Sequence, residues 1–309
     1  MTTTYPIQPG SLTADDARYV LADPTIIGDR IAKTLGDEWF PFTAALLKGR
    51  EALSGGAGVV FARQPMTGTD KVAQVAAGGE YPISELHQST PTPIFAVKAG
   101  TKARITDEAL GRDRYGITAA INDALTFLGN GVRVNFEASS AKAVADAKIP
   151  NMKATAWTGA DALDAIFQTV LTAFDKMVAL RKSYAPSMIA VTTLQWAKIG
   201  PVIARANGAT YGTFPTIGID PFNPASWFVS SDLPKTWQPT LIDPNLFGGV
   251  AHETVPAEGY SQVGAVGEGF EVKTYREENR DSRIIQVRKT DVPYIANPDA
   301  ALAITDTGL

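Results

Sequence analysis

Val75–Leu128 reads VAAGGEYPISELHQSTPTPIFAVKAGTKARITDEALGRDRYGITAAINDALTFL. It passes from a Gly-rich loop through strand-like residues into a long amphipathic helix. Ile94, Ala96, Lys98, Gly100 and Lys102 share one face of a single strand at the alternation expected of extended chain. Thr106, followed by Asp107 and Glu108, is the N-cap of a helix that carries acids in its positive first turn. Ile117, Ile121, Leu125, Leu128 and Val132 recur every three or four residues and form one apolar stripe. The spacing predicts a helix from Thr106 to Ala145, with Glu108–Arg112 and Arg133–Glu137 as ion pairs on its outer face. Gly129 and Gly131 each cost about 1 kcal/mol against Ala, so a bend or break is expected there. A loop, a strand and a long helix in this order suggest a chain built to reach neighbours rather than to enclose a small molecule.

Upstream of that stretch, Pro6, Pro9, Gly10 and Pro24 interrupt residues 1–25, so the chain is expected to begin either as a frayed terminus or as an arm that orders on a partner. Ile26, Ile27, Ile31, Leu35, Trp39, Phe40, Phe42, Leu46 and Leu47 give a broken apolar pattern, with the Trp-Phe-Pro-Phe cluster as a core anchor. Gly55, Gly56 and Gly58 form a breaker, and residues 57–82 read as a two-stranded excursion. Two strands alone are marginal in water, so the excursion is expected to lie on its own domain or on a neighbour.

Downstream, Thr158 with Asp161 three residues later predicts a capped helix, and Leu163, Ile166, Phe167, Val170, Phe174 and Met177 form its core stripe. Met188–Thr192 is a buried strand by its β-branched run, followed by a helix from Leu194 that Gly200-Pro201 interrupts, and by a strand at Trp227–Ser230. The end returns to strands at Phe270–Tyr275 and Ile284–Val292. In the second, Arg288 and Thr290 share one face while Lys289 and Asp291 share the other, so the strand is expected to be partly exposed or to lie against another subunit.

Composition narrows the function. The 309 residues are 45% hydrophobic and 19% charged, with no cysteine, which removes disulfide frameworks, thiolate metal sites and cysteine nucleophiles. A net charge of -4 argues against a general nucleic-acid binder held by phosphate contacts. No run of about eighteen apolar residues predicts a membrane span, and the N-terminus has no signal-peptide pattern. No phosphate loop, dinucleotide fingerprint, serine elbow or zinc-helix motif occurs. The two histidines, His87 and His252, have Glu85 and Glu253 beside them; a metal or catalytic site would have to be built from these, against two unrelated structural histidines. No cofactor is expected and no residue stands out as a catalyst.

Five segments then carry a resemblance. Gly78-Gly79-Glu80-Tyr81-Pro82 is similar to the descending end of an extended loop, and Lys102–Leu110 (KARITDEAL) to a strand-to-spine-helix junction. Ser187–Trp196 (SMIAVTTLQW) is similar to a central strand and its helix, Phe228–Pro234 (FVSSDLP) to an acid-leucine-proline turn, and Arg283–Thr305 to a closing strand. In this order they resemble the major capsid protein of tailed bacteriophages, the Hong Kong 97-type fold. The resemblance implies an α+β chain with an N-terminal arm (1–30), an extended two-stranded loop (57–82), and a peripheral β-sheet domain with a long spine helix (31–56 and 83–154). It further implies an α/β axial domain (155–250) and a return to the peripheral sheet with a C-terminal segment (251–309).

By that resemblance the protein is structural and not an enzyme. Its partner is itself, as hexamers and pentamers of an icosahedral head assembled in the bacterial cytoplasm, with scaffolding, portal and decoration proteins as further partners and packaged DNA touched weakly. A scaffold is expected to be separate or already removed. Arg63, Lys71, Gly78, Gly79 and Glu80 are the expected inter-subunit residues of the loop, and Gly55, Gly56, Gly58, Gly129 and Gly131 the candidate hinges. Some members weld the shell by an isopeptide bond; Lys71 and Asn279, near Asp281, are the available pair, although no asparagine falls clearly in the partner position. The alternatives are an encapsulin-type compartment shell that holds cargo, a soluble enzyme using His87 or His252, and a smaller-assembly adhesive or tail protein.

Overall fold

Two hydrophobic cores, each built around one sheet, meet along a single long helix. A computed structural model describes residues 19–35, 40–53, 57–60, 75, 79–80, 92–112, 116–208, 223, 226–253, 258–264 and 269–309. The helices are α1 (Pro24–Leu35), α2 (Pro41–Leu46), α3 (Asp107–Arg112), α4 (Gly116–Asp146), α5 (Ala162–Ala179) and α6 (Thr193–Gly208). The strands of the first half are β1 (Gly49–Leu53), β2 (Ala57–Val60), β3 (Thr92–Phe95), β4 (Lys98–Thr106) and β5 (Asn151–Lys153). Those of the second half are β6 (Met188–Thr192), β7 (Trp227–Ser230), β8 (Thr240–Ile242), β9 (Gly248–Glu253), β10 (Tyr260–Val263), β11 (Phe270–Glu277), β12 (Ser282–Ile295) and β13 (Ala301–Thr305).

The six-stranded sheet runs β1-β9-β12-β11-β10, with β4 also on β12. Its centre is β12, which pairs antiparallel with β11 and β4 over its first part and with β9 from Asp291 to Ile295. This corrects the expectation of a half-exposed closing strand: Arg288, Lys289, Thr290 and Asp291 are all buried. The stripe Ile121, Leu125, Leu128 and Val132 of α4 is buried against this sheet with Ile27 and Ile31 of α1. Residues 19–30 therefore do not form a loose arm, since Val20, Leu21 and Ile27 belong to the core. Pro24 starts a helix instead of breaking one, because a first-turn proline gives up no hydrogen bond and Asp23 accepts from the Thr25 amide at 2.9 Å. The Thr25 hydroxyl and then its amide, both donating to the Asp23 carboxyl, hold that group below its ordinary range.

The second sheet, β5-β13-β8-β6-β7, is flanked by α5 and α6. Leu241, Ile242, Ile189 and Val191 meet Ile166, Val170 and Met177 of α5 in its core. β13 lies antiparallel to β8 and parallel to β5, so the chain leaves the first sheet at Ile295 and ends in the second one. The expectation that residues 251–309 stay with the peripheral sheet is corrected accordingly: Leu302 and Ile304 are apolar enough to complete the α/β core.

Local expectations meet varied outcomes. Thr106 caps as expected, its Oγ1 accepting from the Ala109 amide at 3.3 Å. The single strand over 94–102 is two, β3 and β4, separated at Ala96-Val97. The expected long helix is described over Asp107–Arg112 (α3) and Gly116–Asp146 (α4), and α4 runs unbroken through Gly129 and Gly131. The helix from Thr158 starts later, at Ala162, where Asp161 holds the cap position without a side-chain bond. Pro201 sits inside a continuous α6. Glu137, expected on the outer face of α4 beside Arg133, is buried.

Candidate functional site

Charge inside the first sheet is the most concentrated chemistry among the described residues. Arg288 on β12 stands opposite Glu271 on β11, and the two are ion-paired. The guanidinium also lies over the Tyr260 ring, 3.7 Å from its centroid. One residue on, Lys289 Nζ donates to the Gly269 carbonyl at 2.7 Å, pairs with Asp291, and sits 4.6 Å from the ring centroids of both Phe40 and Phe136. Asp291 faces His252 across the β9–β12 register, and its other oxygen contacts His252 Nδ1.

Lys289, Asp291 and His252 are 3%, 4% and 7% exposed, so an acid, a base and an amine meet without access to a substrate. Placed in a sheet centre, such a set cross-braces strands, since each charge is compensated where water cannot reach it. The described residues hold no group of three or more side chains suited to a metal ion. His87 lies outside the described residues, and with His252 committed to Asp291 the geometry gives the histidine-enzyme reading no support.

The outer surface offers a different kind of site. β2 and β3 pair antiparallel from Ala57↔Phe95 to Val60↔Thr92, at the root of the expected excursion, whose residues 61–74, 76–78 and 81–91 lie outside the described residues. Phe95 and Val97 stand exposed at this root. On α4, Phe127 and Val134 are 65% and 67% exposed although apolar, and they line an open groove of about 770 Å³ with Asp123, Asn130 and Asn135. Two turns of helix thus present an apolar face that the described residues do not cover.

Of the loop residues, Gly79 and Glu80 are exposed, while Arg63, Lys71 and Gly78 lie outside the described residues, as do Gly55 and Gly56. Gly58 packs on Leu53, whose Cδ2 would lie 2.3 Å from an added Cβ. Gly129 is buried in α4 and Gly131 is exposed. Asn279 stands exposed in the 3-10 turn between β11 and β12. Arg276 knots that turn, bonding Asp107 at 2.9 Å, Glu278 at 3.1 Å and Asp281 at 3.4 Å, and the Asp107 and Glu278 carboxylates raise its already high pKa. Of the pair Lys71 and Asn279, Lys71 lies outside the described residues. What sequence reading missed is the buried set, for which alternation alone gave the facing of Lys289 and Asp291 but not their cover.

Among known proteins, residues 89–304 match a family model described as phage capsid protein. No curated protein matches the chain. The capsid of cyanophage P-SCSP1u is similar in structure, with a TM-score of 0.56 at 11% identity over 87% of this chain and 86% of that one. A virus-like particle from Pyrococcus furiosus is similar with a TM-score of 0.50 at 11% identity, over 90% and 95% of the two chains. At such identities these likenesses establish a shared fold.

Proposed function

The chain belongs to the phage capsid protein family, and from that premise we propose that its copies form the hexamers and pentamers of an icosahedral head around double-stranded DNA. It is a structural shell protein with the Hong Kong 97-like capsid fold, and its place is the virion capsid. The observation that carries the proposal is the pairing of exposed apolar groups at the β2–β3 root with an uncovered apolar face on α4. A monomer leaves both wet; a second copy can cover them. The excursion is then a strap between subunits, with Arg63, Lys71, Gly78, Gly79 and Glu80 on it. The six-stranded layer is peripheral and the five-stranded layer axial. The glycines at 55, 56, 58, 129 and 131 are the places where one fold bends to five- and six-fold surroundings.

The net charge of -4 suits a wall that DNA slides along, since a basic lining held by many phosphate contacts would oppose both packing and ejection. Assembly in the host cytoplasm, with scaffold, portal or decoration proteins, belongs to the same reading. Negative-stain microscopy of the purified full chain is the test. Closed angular particles several tens of nanometres across are expected, and a monodisperse monomer at every salt and protein concentration would sink the proposal. Shells that retain a protein cargo and never DNA would point to a compartment instead.

A further inference from the structure

The two cores meet where α4 passes from one to the other. Val132 and Phe136 lie in the first core, Ala141 and Val144 in the second. The segment before β1 makes the same crossing, with Phe40 in the first core and Phe42 and Leu46 in the second. Between these anchors sit three polar side chains, all buried: Thr43, Glu137 and Ser140. Glu137 Oε2 accepts from the Thr43 amide at 3.1 Å and lies 3.3 Å from the Thr43 hydroxyl, which is itself 2.8 Å from Ser140 Oγ. Glu137 Oε1 is buried with no hydrogen-bond partner. Glu137 is 4% exposed, and among the described residues no ion pair compensates its carboxyl.

We propose that Glu137, with Thr43 and Ser140, is a proton-operated joint between the two cores: neutral, it lets the seam close dry, and ionised, it opens the seam to water. The physical cause is the unmatched oxygen. A neutral carboxyl tolerates burial, whereas a carboxylate with half its acceptor capacity unmet costs more than the two Thr43 contacts return. Two charged groups act on it from neighbouring elements: Asp232, after β7, opposes ionisation, and Arg133, one turn back on α4, favours it; α2 contributes only the Thr43 amide and hydroxyl. Desolvation prevails, and the group is raised from an ordinary 4.5 to about 7.

The sign follows from proton counting. Between pH 4.5 and about 7 the folded chain holds a proton that the unfolded chain has released, so the seam loses stability as pH rises across that range. Below it the seam is at its tightest, and above it the full cost of ionisation falls on the joint. Because Phe40–Phe136 on one side and Phe42–Leu46 on the other stay packed, the expected motion is a change of angle between the two layers, with neither core lost. This property belongs to the subunit and holds whatever its copies build.

Hydrogen exchange of the full chain at pH 5.5 and pH 8.5, corrected for intrinsic exchange rates, tests it. The amides of Ala44 and Leu47 and of the α4 turns around Glu137 are expected to lose about tenfold protection at the higher pH, with Ile121–Leu128 unchanged. Glu137→Gln should remove the difference. Glu137→Met, of similar length and uncharged, serves if the amide variant does not fold. Equal protection of the wild-type seam at both pH values overturns the joint, and so does a pH difference that survives in a folded uncharged variant.

Discussion

Lys289 is a charge that has to be compensated within its own side chain's reach. Its ammonium is held by Asp291, by the Gly269 carbonyl and by the faces of Phe40 and Phe136, groups drawn from four different parts of the chain. Breaking a buried pair on one side leaves the other charge stranded, which costs about 3–5 kcal/mol. Asp291→Ala is therefore expected to lower the unfolding free energy by that order in urea titration, while His252→Ala, which leaves Lys289 paired, should cost less. If the two rank the other way round, the lysine is not the charge that Asp291 serves. Alternation along Ile284–Asp291 put Lys289 and Asp291 on one face with Ile285 and Val287. The cover could not be read, because Phe40 and Phe136 arrive from positions more than a hundred residues away in sequence.

At the scale of elements, α4 is where reading and structure agree most closely and where the glycines matter. Its stripe at Ile121, Leu125, Leu128 and Val132 is buried as the spacing predicts, because period 3.6 leaves an apolar row only one way to face. Its two glycines do not interrupt it, since tertiary contacts on that row outweigh a local propensity cost of about 1 kcal/mol each. A Cβ at Gly131 would meet only Thr101 Cγ2, at an ordinary 3.5 Å. Gly131→Ala should therefore stabilise the free subunit by about 1 kcal/mol in thermal or urea unfolding. As a proposed hinge it should also yield fewer closed shells. A variant that gains the stability and assembles like the wild type would strike Gly131 from the hinges. Gly249 is a firmer constraint, because a Cβ there would fall 2.5 Å from the Gly49 carbonyl of the paired strand β1.

The whole molecule is a subunit whose surface is unfinished in isolation. The root of the excursion and the groove on α4 carry aromatic and β-branched side chains in water, and neither the first nor the second core can reach them. Shortening the excursion by deleting residues 63–71 is expected to leave thermal unfolding of the subunit within a few degrees of the wild type while sedimentation shows few closed particles. Assembly at wild-type yield would remove the strap from the account. The five matching segments were legible because each is a short local pattern of strand, cap or turn residues that neighbours in sequence specify. The boundaries were not, since β5 and β13 join the second sheet from sequence positions assigned to the first.

The sequence by itself determined the α+β class, the spine helix with its buried stripe, the cap at Thr106, the strands at 188–192 and 227–230, and the resemblance that the family match bears out. These depend on local periodicity and turn chemistry, which neighbouring residues specify. Only the tertiary structure decided that β12 is the centre of its sheet, that its charges are cross-braced, that residues 19–30 belong to a core, and that Glu137 turns inward at the seam. Burial of a polar group is settled by what packs over it, and that cover comes from distant chain: Phe40 and Phe136 over Lys289, Thr43 over Glu137.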